Sequence, residues 1–443
     1  MEIIQPRLPK GMRDILPQQM VLRQHALRIV EETFAEFGFE PLVTPAVELS
    51  EILLGKYGGD SEKLIFFVQH PGGKEDLALR YDLSVPLSRV VAQYPELPKP
   101  FRRYQIAPVW RAERPQKGRY REFYQCDADI VGTASMLADA EIIALVYTIL
   151  RRLGFQQFAT LINNRKLLTG IGQYSGVPDA RLPGLYRAID KYERLGLKGV
   201  RKELRQEGLD ATAVDRLCDL IWPADGRPAS LESLRAELGH LPLAREGIDE
   251  LQELLGYLPS LGVEASCYRF DLAMVRGLDY YTGPIYETVV EEPRIGSITG
   301  GGRFDGLVGR FSKQSYPATG TTIGIERILD ILAERPTFSA RETLVEVLVT
   351  VFSPDLVTDS LKLMSELRES GLRCELYYET DPLGTQIRYA LKKGIPMLVI
   401  LGPDELSAGQ VAVRDLQAKS QTNVDRAAVA EYLSARLDQA TDT

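Results

Sequence analysis

The sequence predicts an α+β body built on an antiparallel sheet, interrupted by a helical insertion and followed by a separate α/β domain. Three observations carry this. Two aromatic and β-branched arms, "FRRYQIAPVWRAE" and "YREFYQCDADIVG", flank a polar tip, "RPQKGR", which is the pattern of a long hairpin. From Lys166 to Gly262 the chain turns to charged, Leu-rich segments with few β-branched residues. From about Thr343, apolar runs alternate with amphipathic ones, as in a β/α domain of about one hundred residues.

The elements follow in order. After Pro17, residues Leu22, Ala26, Ile29, Val30, Phe34 and Phe37 share one helical face, and Gly38 stands where a glycine ends a helix. "FEPLVTPAVEL" reads as a strand. "LIFFVQ" and "LALRYD" flank the hairpin loop "HPGGKED", and "PLSRVVAQY" reads as a short helix. Beyond the long hairpin, "MLADAEIIALVYTILRRLG" is the clearest amphipathic helix, with Arg151 and Arg152 in its last turn. Helical segments fill 166–262, broken by "WPADGRPAS". Strands resume in "SCYRFDLAMVRGLDYYTGPIYETVVEE" and "IGSITGGGRFDG", and a glycine-opened helix is expected over "GTTIGIERILDILAE". "VEVLVTVF", "RCELYY" and "PMLVILG" then alternate with helical "LVTDSLKLMSELRES", "TQIRYALKKG" and "RAAVAEYLSARL".

Composition limits the function classes. A chain of 443 residues, 44 % hydrophobic, can bury a large core and divide into two or three domains. The start, "MEIIQPRLPKGMRDILP", lacks the apolar run of a secretory signal, and no eighteen-residue apolar run exists to span a bilayer. A cytoplasmic protein with no membrane partner is expected. Cys126, Cys218, Cys267 and Cys374 form no C-x-x-C pair, and only His25, His70 and His240 could join them, so neither a zinc site nor a disulfide framework is expected. The net charge of −8 argues against a general nucleic-acid coat but permits a small basic site on an acidic body.

Such a site is visible. "RAERPQKGRYREFYQ" places five cations and two carboxylates in fifteen residues. No G-x-x-x-x-G-K-[ST], G-x-G-x-x-G after a strand, G-x-S-x-G or H-E-x-x-H is present, so bound phosphates must be held by side chains. Arginine suits that task, because its planar fork donates two parallel hydrogen bonds and stays charged. Arg111 near the end of the first arm, Arg276 opening "RGLDYYTG" and Arg327 in "GIERI" stand out. An arginine on the buried face of a glycine-rich helix is costly unless it is paired or used.

These residues resemble the signature motifs of class II aminoacyl-tRNA synthetases, and specifically the histidyl-tRNA synthetase family. The helix to Phe37 and the strand ending at Pro45 resemble motif 1, the family's homodimer interface. "FRRYQIAPVWRAERPQKGRYREFYQCDADIVG" resembles motif 2 and "GTTIGIERILDIL" motif 3. The histidine-specific signatures are "RGLDYYTGPIYE" and "GGGRFDGLVGRF". The resemblance covers nearly the whole chain. It implies a catalytic domain of residues 1–165 and 263–335, an insertion of 166–262 and an anticodon-binding domain of 343–443, the last resembling the family in "LGTQIRYALKKGIPMLVILG".

The resemblance also implies chemistry and roles. Histidine would be joined to ATP, with magnesium on the phosphates, and then passed to histidine tRNA. Arg111, Arg276 and Arg327 would be catalytic cations, each worth about 2 to 4 kcal/mol in comparable sites. Asp82, Leu83, Ser84 and Gln125 would surround the ammonium group and Asp129 and Tyr281 the imidazole, with Tyr280 lining the pocket and Arg111 and Arg276 at the carboxylate. Arg111, Glu113, Arg119, Phe123 and Arg327 would hold ATP. Arg114, Gln116 and Lys117 would meet the acceptor end of tRNA. Many bacterial members have a Pro-Glu-Gly-Thr-like segment where this chain has Tyr81 to Ser84, and a glutamate at Asp129. In the last domain Asp and Glu outnumber Lys and Arg, leaving local patches such as Arg388, Lys392 and Lys393 for the anticodon. Two alternatives stand beside this reading: a catalytically silent regulatory subunit of ATP phosphoribosyltransferase, and a class II synthetase for another amino acid, which "RGLDYYTG" opposes.

Overall fold

A computed structural model describes residues 4–55, 62–116, 118–223, 229–275, 280–293, 296–335 and 343–441. The chain divides into two units, Met1–Arg13 with Ala26–Ile331, and Asp14–His25 with Leu332–Thr443.

The first unit contains eleven described strands: Glu40–Pro41 (β1), Val47–Leu49 (β2), Phe67–Val68 (β3), Leu77–Leu79 (β4), Phe101–Trp110 (β5), Glu122–Val131 (β6), Phe158–Asn164 (β7), Tyr268–Phe270 (β8), Pro284–Val290 (β9), Ser297–Arg303 (β10) and Ala318–Ile323 (β11). Eight form one sheet in the order β1-β5-β6-β11-β10-β9-β7-β8. Its six middle strands run antiparallel, while β1 on β5 and β8 on β7 are parallel. The sheet is thus mixed at its margins. The expected long hairpin is β5 and β6, in register from Phe101 opposite Val131 to Trp110 opposite Glu122.

Two features bring the middle of the sheet unusually close. A Cβ at Gly301 would lie 2.2 Å from the Gly320 carbonyl oxygen and 2.6 Å from the Tyr286 ring. One at Gly320 would lie 2.0 Å from the Asp129 carboxylate. Glycine is required there by contact with neighbouring strands. Behind the sheet, the helix Met136–Arg152 begins at Ser135, whose hydroxyl accepts the Leu137 N–H. Its Ile142, Ile143, Leu145 and Ile149 are fully buried. On this helix Asp139 pairs with Arg303 and accepts the Thr319 hydroxyl at 2.7 Å, while Tyr286 and Thr319 exchange a 2.6 Å bond. This buried polar network ties β9, β10 and β11 to the helix.

Three sequence expectations change. "FEPLVTPAVEL" is two short strands in different sheets, since β1 joins the large one and β2 pairs with β4 in a three-stranded sheet, β2-β4-β3. The stretch "GTTI" belongs to β11 and not to a helix, because β6 and β10 both pair with it; the helix is Ile325–Ala333. On that helix the buried ionisable group is Glu326, 6 % exposed, while Arg327 is half-buried. The insertion is helical as expected. Its helices include Arg165–Tyr174 and Pro242–Tyr257, which pack so closely that a Cβ at Gly170 would lie 2.6 Å from that of Ala244.

The second unit carries a five-stranded sheet of Val347–Val349 (β12), Cys374–Leu376 (β13), Met397–Ile400 (β14), Gln410–Asp415 (β15) and Ser420–Asp425 (β16), in the order β13-β12-β14-β15-β16. The first three are parallel, and β15 and β16 add an antiparallel hairpin beyond the expected alternation. Helices Val357–Glu369, Leu383–Lys393 and Val429–Thr441 accompany the sheet, with Val347, Val399, Leu363 and Leu433 in its core.

Candidate active site

The alternation of β6 puts Gln125, Asp127 and Asp129 on one face of the sheet. Opposite Asp129 stands Arg103 of β5, fully buried, its Nη2 2.7 Å from the Asp129 carboxylate and 3.1 Å from the Leu83 carbonyl oxygen. Gln125 Nε2 donates to Thr322 Oγ1 at 3.3 Å. Its Oε1, buried, accepts no hydrogen bond among the described residues. Asp82, 2 % exposed, accepts the Val85 N–H at 3.0 Å in the first turn of the helix Ser84–Gln93.

Asp82, Gln125, Asp127, Asp129 and Thr322 line a cavity of about 260 Å³ together with Ser84, Tyr280, Tyr281, Glu287 and Gly300. Its chemistry is anionic. Asp82, Asp127, Asp129 and Glu287 border it, with Arg103 behind one of them and Arg111 at the rim. Burial pushes the Asp127 carboxyl up to about 7, helped by the Asp129 charge and opposed by Arg103. Burial likewise raises Asp129 to about 6 against the pull of Arg103. The Tyr281 hydroxyl is raised by burial and by the charges of Asp127, Asp129 and Asp82. Among the described residues the lining carries four carboxylates and one arginine, a set that suits a ligand bringing positive charge and hydrogen-bond donors.

A second cavity, of about 250 Å³, adjoins the first, and Arg111, Gln125, Ser297, Gly300 and Thr322 line both. Its further walls include Glu113, Arg119, Tyr120, Phe123, Tyr124, Glu326 and Arg327. Arg119 Nε lies 3.3 Å from Glu113, and Arg327 donates to the Ser297 carbonyl oxygen. Arg111 stands at the junction. Its Nε donates to the Tyr81 carbonyl oxygen at 3.1 Å, and its guanidinium lies 4.3 Å from the Tyr81 ring centre and 5.1 Å from that of Phe123. Among the described residues no carboxylate pairs with it, so its fork is held by aromatic faces with charge left for an anion. A Cβ at Gly300 would meet nothing within 4 Å, so this glycine leaves the junction open.

The expected residues therefore fall into two groups that touch. Asp82, Ser84, Gln125, Asp129, Tyr280 and Tyr281 border the anionic cavity, and Glu113, Arg119, Phe123 and Arg327 the cationic one. Leu83 does not join them, since its side chain is fully buried beside Ala107 and Val109. Arg114 and Gln116 are exposed at the hairpin tip, where Gln116 and Arg119 exchange backbone bonds of 2.9 and 3.1 Å. Arg276 and Lys117 lie outside the described residues. Asp127 and Glu287 were missed. The signal for Asp127 was present in "QCDAD", where alternation brings it to the same face as its neighbours. In the second unit, Arg388 and Lys392 are exposed, whereas Lys393 pairs with Glu375.

Comparison with known proteins adds lineage to geometry. A family model described as histidyl-tRNA synthetase matches residues 11–328, and one described as an anticodon binding domain matches 346–436. The histidine–tRNA ligase of Gloeobacter violaceus is 41 % identical, covering 96 % of this chain and 98 % of its own. That of Aeropyrum pernix is 46 % identical, covering 91 % and 92 %. The crystal structure of histidyl-tRNA synthetase from Nostoc sp. PCC 7120 matches with a TM-score of 0.86 at 31 % identity, covering 98 % of this chain and 100 % of that one. These similarities favour the charging enzyme over the regulatory subunit.

Proposed function

The chain belongs to the histidyl-tRNA synthetase family, and from that premise we propose that it activates histidine with ATP and transfers it to histidine tRNA for protein synthesis. The observation that carries this reading is Arg111 at the common wall of an anionic and a cation-lined cavity. A histidine carboxylate oxygen attacks the α-phosphorus, forming the histidyl-adenylate, and the bond from that phosphorus to the bridging oxygen breaks to release pyrophosphate. Negative charge grows on the α-phosphate in that step, and a preorganised cation beside it lowers the barrier. A ribose hydroxyl of tRNA then attacks the adenylate carbonyl, AMP leaves and the hydroxyl proton is lost.

In this reading Asp82, Ser84, Asp127 and the acceptor oxygen of Gln125 take the α-ammonium, and Asp129 and Tyr281 the imidazole beside Tyr280. Arg111 bridges carboxylate and α-phosphate, with Arg276 assigned beside it from the family's motif. Phe123 and Arg119 hold the nucleotide and Arg327 its outer phosphate. Glu113 and Glu326 are the carboxylates of the nucleotide cavity, and each has a cationic partner. This donor set suits a magnesium ion held mainly by phosphate oxygens and water, with Glu113 beside it. The ion supplies charge neutralisation between phosphates when bound.

The remaining assignments are of partners and place. Residues 1–165 and 263–335 form the catalytic body, 166–262 the insertion and 343–443 the anticodon-binding domain. The tip, with Arg114, Gln116 and Lys117, meets the acceptor end of the tRNA. In the second unit the exposed Tyr378 and Arg388 offer stacking and phosphate contacts. A homodimer is supported by β2, whose Val47 and Leu49 face outward while Glu48 is buried, and by exposed Val43 and Phe67. No helix among the described residues is long and apolar enough to cross a membrane, and a charging enzyme works in the cytoplasm. The test is transfer of labelled histidine to histidine tRNA. ATP-dependent charging is expected, and its absence from folded protein would contradict the proposal.

A further inference from the structure

Ahead of the first helix, the chain crosses the base of the hairpin tip. Met12 N–H donates to the Pro9 carbonyl oxygen at 3.1 Å, closing a turn. Gly11, at φ +85°, accepts the Arg121 N–H on its carbonyl oxygen at 2.8 Å. A Cβ there would lie 2.7 Å from Pro115 and 2.9 Å from Arg121 side-chain carbons, so only glycine permits this approach. Arg121 also donates from Nη1 to the Lys10 carbonyl oxygen at 3.4 Å and from Nε to that of Glu113 at 3.0 Å. Two residues on, the Arg13 guanidinium lies 3.7 Å from the centre of the Tyr120 ring and pairs with Glu326. The other oxygen of Glu326 accepts the Tyr124 N–H at 3.2 Å.

We infer that Lys10–Arg13 is a strap that sets the shape and charge of the nucleotide cavity, with Arg13 as a positioning residue. Arg13 does not border either cavity, yet it holds Tyr120 and Glu326, and through Glu326 Tyr124, all of which do. Two physical effects follow. Beyond the β5–β6 ladder, the described residues of the tip are held by the Arg111 N–H on the Arg121 carbonyl oxygen at 2.9 Å, by the Gln116–Arg119 pair and by these tethers, so loss of a tether loosens it. Glu326 is buried immediately before Arg327, and without Arg13 its carboxylate loses a cationic partner beside the phosphates. An anionic nucleotide would then bind a wall that is looser and more negative. Histidine, in the other cavity, would not sense the change.

This inference rests on the reading of the second cavity as the ATP site. The test uses the full chain as R13M, with pyrophosphate exchange giving KM for ATP and for histidine, and equilibrium dialysis giving ATP affinity with magnesium. The expected result is a rise in KM and Kd for ATP of about tenfold with histidine KM within twofold. R13K keeps the charge but loses the planar fork over Tyr120, so about a threefold rise is expected, and it decides the matter if R13M does not fold. Unchanged ATP affinity, or an equal rise for both substrates, overturns the strap. If the unaltered chain binds ATP but exchanges nothing, the proposed function fails while dialysis on the variants still tests the strap; if it binds no ATP, both fall.

Discussion

Asp127 and Asp129 show how much a single register of side chains decides. Both carboxyls titrate well above 3.8, at about 7 and about 6, chiefly because they are buried. A raised carboxyl supports folding fully only below its unfolded value, and that support is lost as pH climbs through the folded one. The empty protein should therefore lose stability between about pH 4 and pH 7 on account of this pair. A ligand bearing an ammonium group favours the ionised pair, so histidine KM should fall as pH rises from 6 to 8. In Asp127→Asn the profile should flatten and KM at pH 8 should rise about tenfold, read by pyrophosphate exchange; an unaltered profile would remove Asp127 from the pocket. At this scale the sequence was informative where a role is local. Arg111 was legible near the end of a patterned hairpin arm and Gln125 through the family resemblance, and alternation alone could have added Asp127. Arg13 was not legible, because its partners Tyr120 and Glu326 are brought to it only by the fold.

The strands β10 and β11 carry the corresponding lesson for elements. "GTTI" reads as the opening of a helix, yet it pairs on both sides, with β6 and β10, and pairing partners outweigh local propensity. What the glycines of "GGGRFDG" approach depends on register: Gly301 lies on Gly320 and Tyr286 and Gly302 on the Pro284 carbonyl oxygen, whereas a Cβ at Gly300 would meet nothing. Gly301→Ala should thus force β10 off β11 and lower stability by about 1 to 3 kcal/mol, the usual cost of overpacking. Thermal unfolding checks this, and an unshifted midpoint would show that the sheet has slack. The hairpin β15–β16 was missed for a different reason. Its second strand is mostly exposed, so it lacks the apolar run by which strands are recognised.

At the scale of the molecule, class and order of domains were legible because long motifs occur in sequence, and matches to residues 11–328 and 346–436 agree with that order. Association is the property that no motif geometry within one chain settles. The outward Val47 and Leu49, with Phe67 64 % exposed, predict that L49K combined with F67D converts a dimer to a monomer in sedimentation, with the monomer exchanging at least tenfold more slowly. A dimer that persists would move the interface elsewhere. The meeting of an anionic amino-acid pocket and a cation-lined nucleotide pocket at Arg111 is what makes histidyl-adenylate in this reading. Its most direct test is exchange of labelled pyrophosphate into ATP with magnesium, run with each of the twenty amino acids and without tRNA. Exchange with histidine alone is the predicted result; exchange with another amino acid, or with none from folded protein, would contradict it.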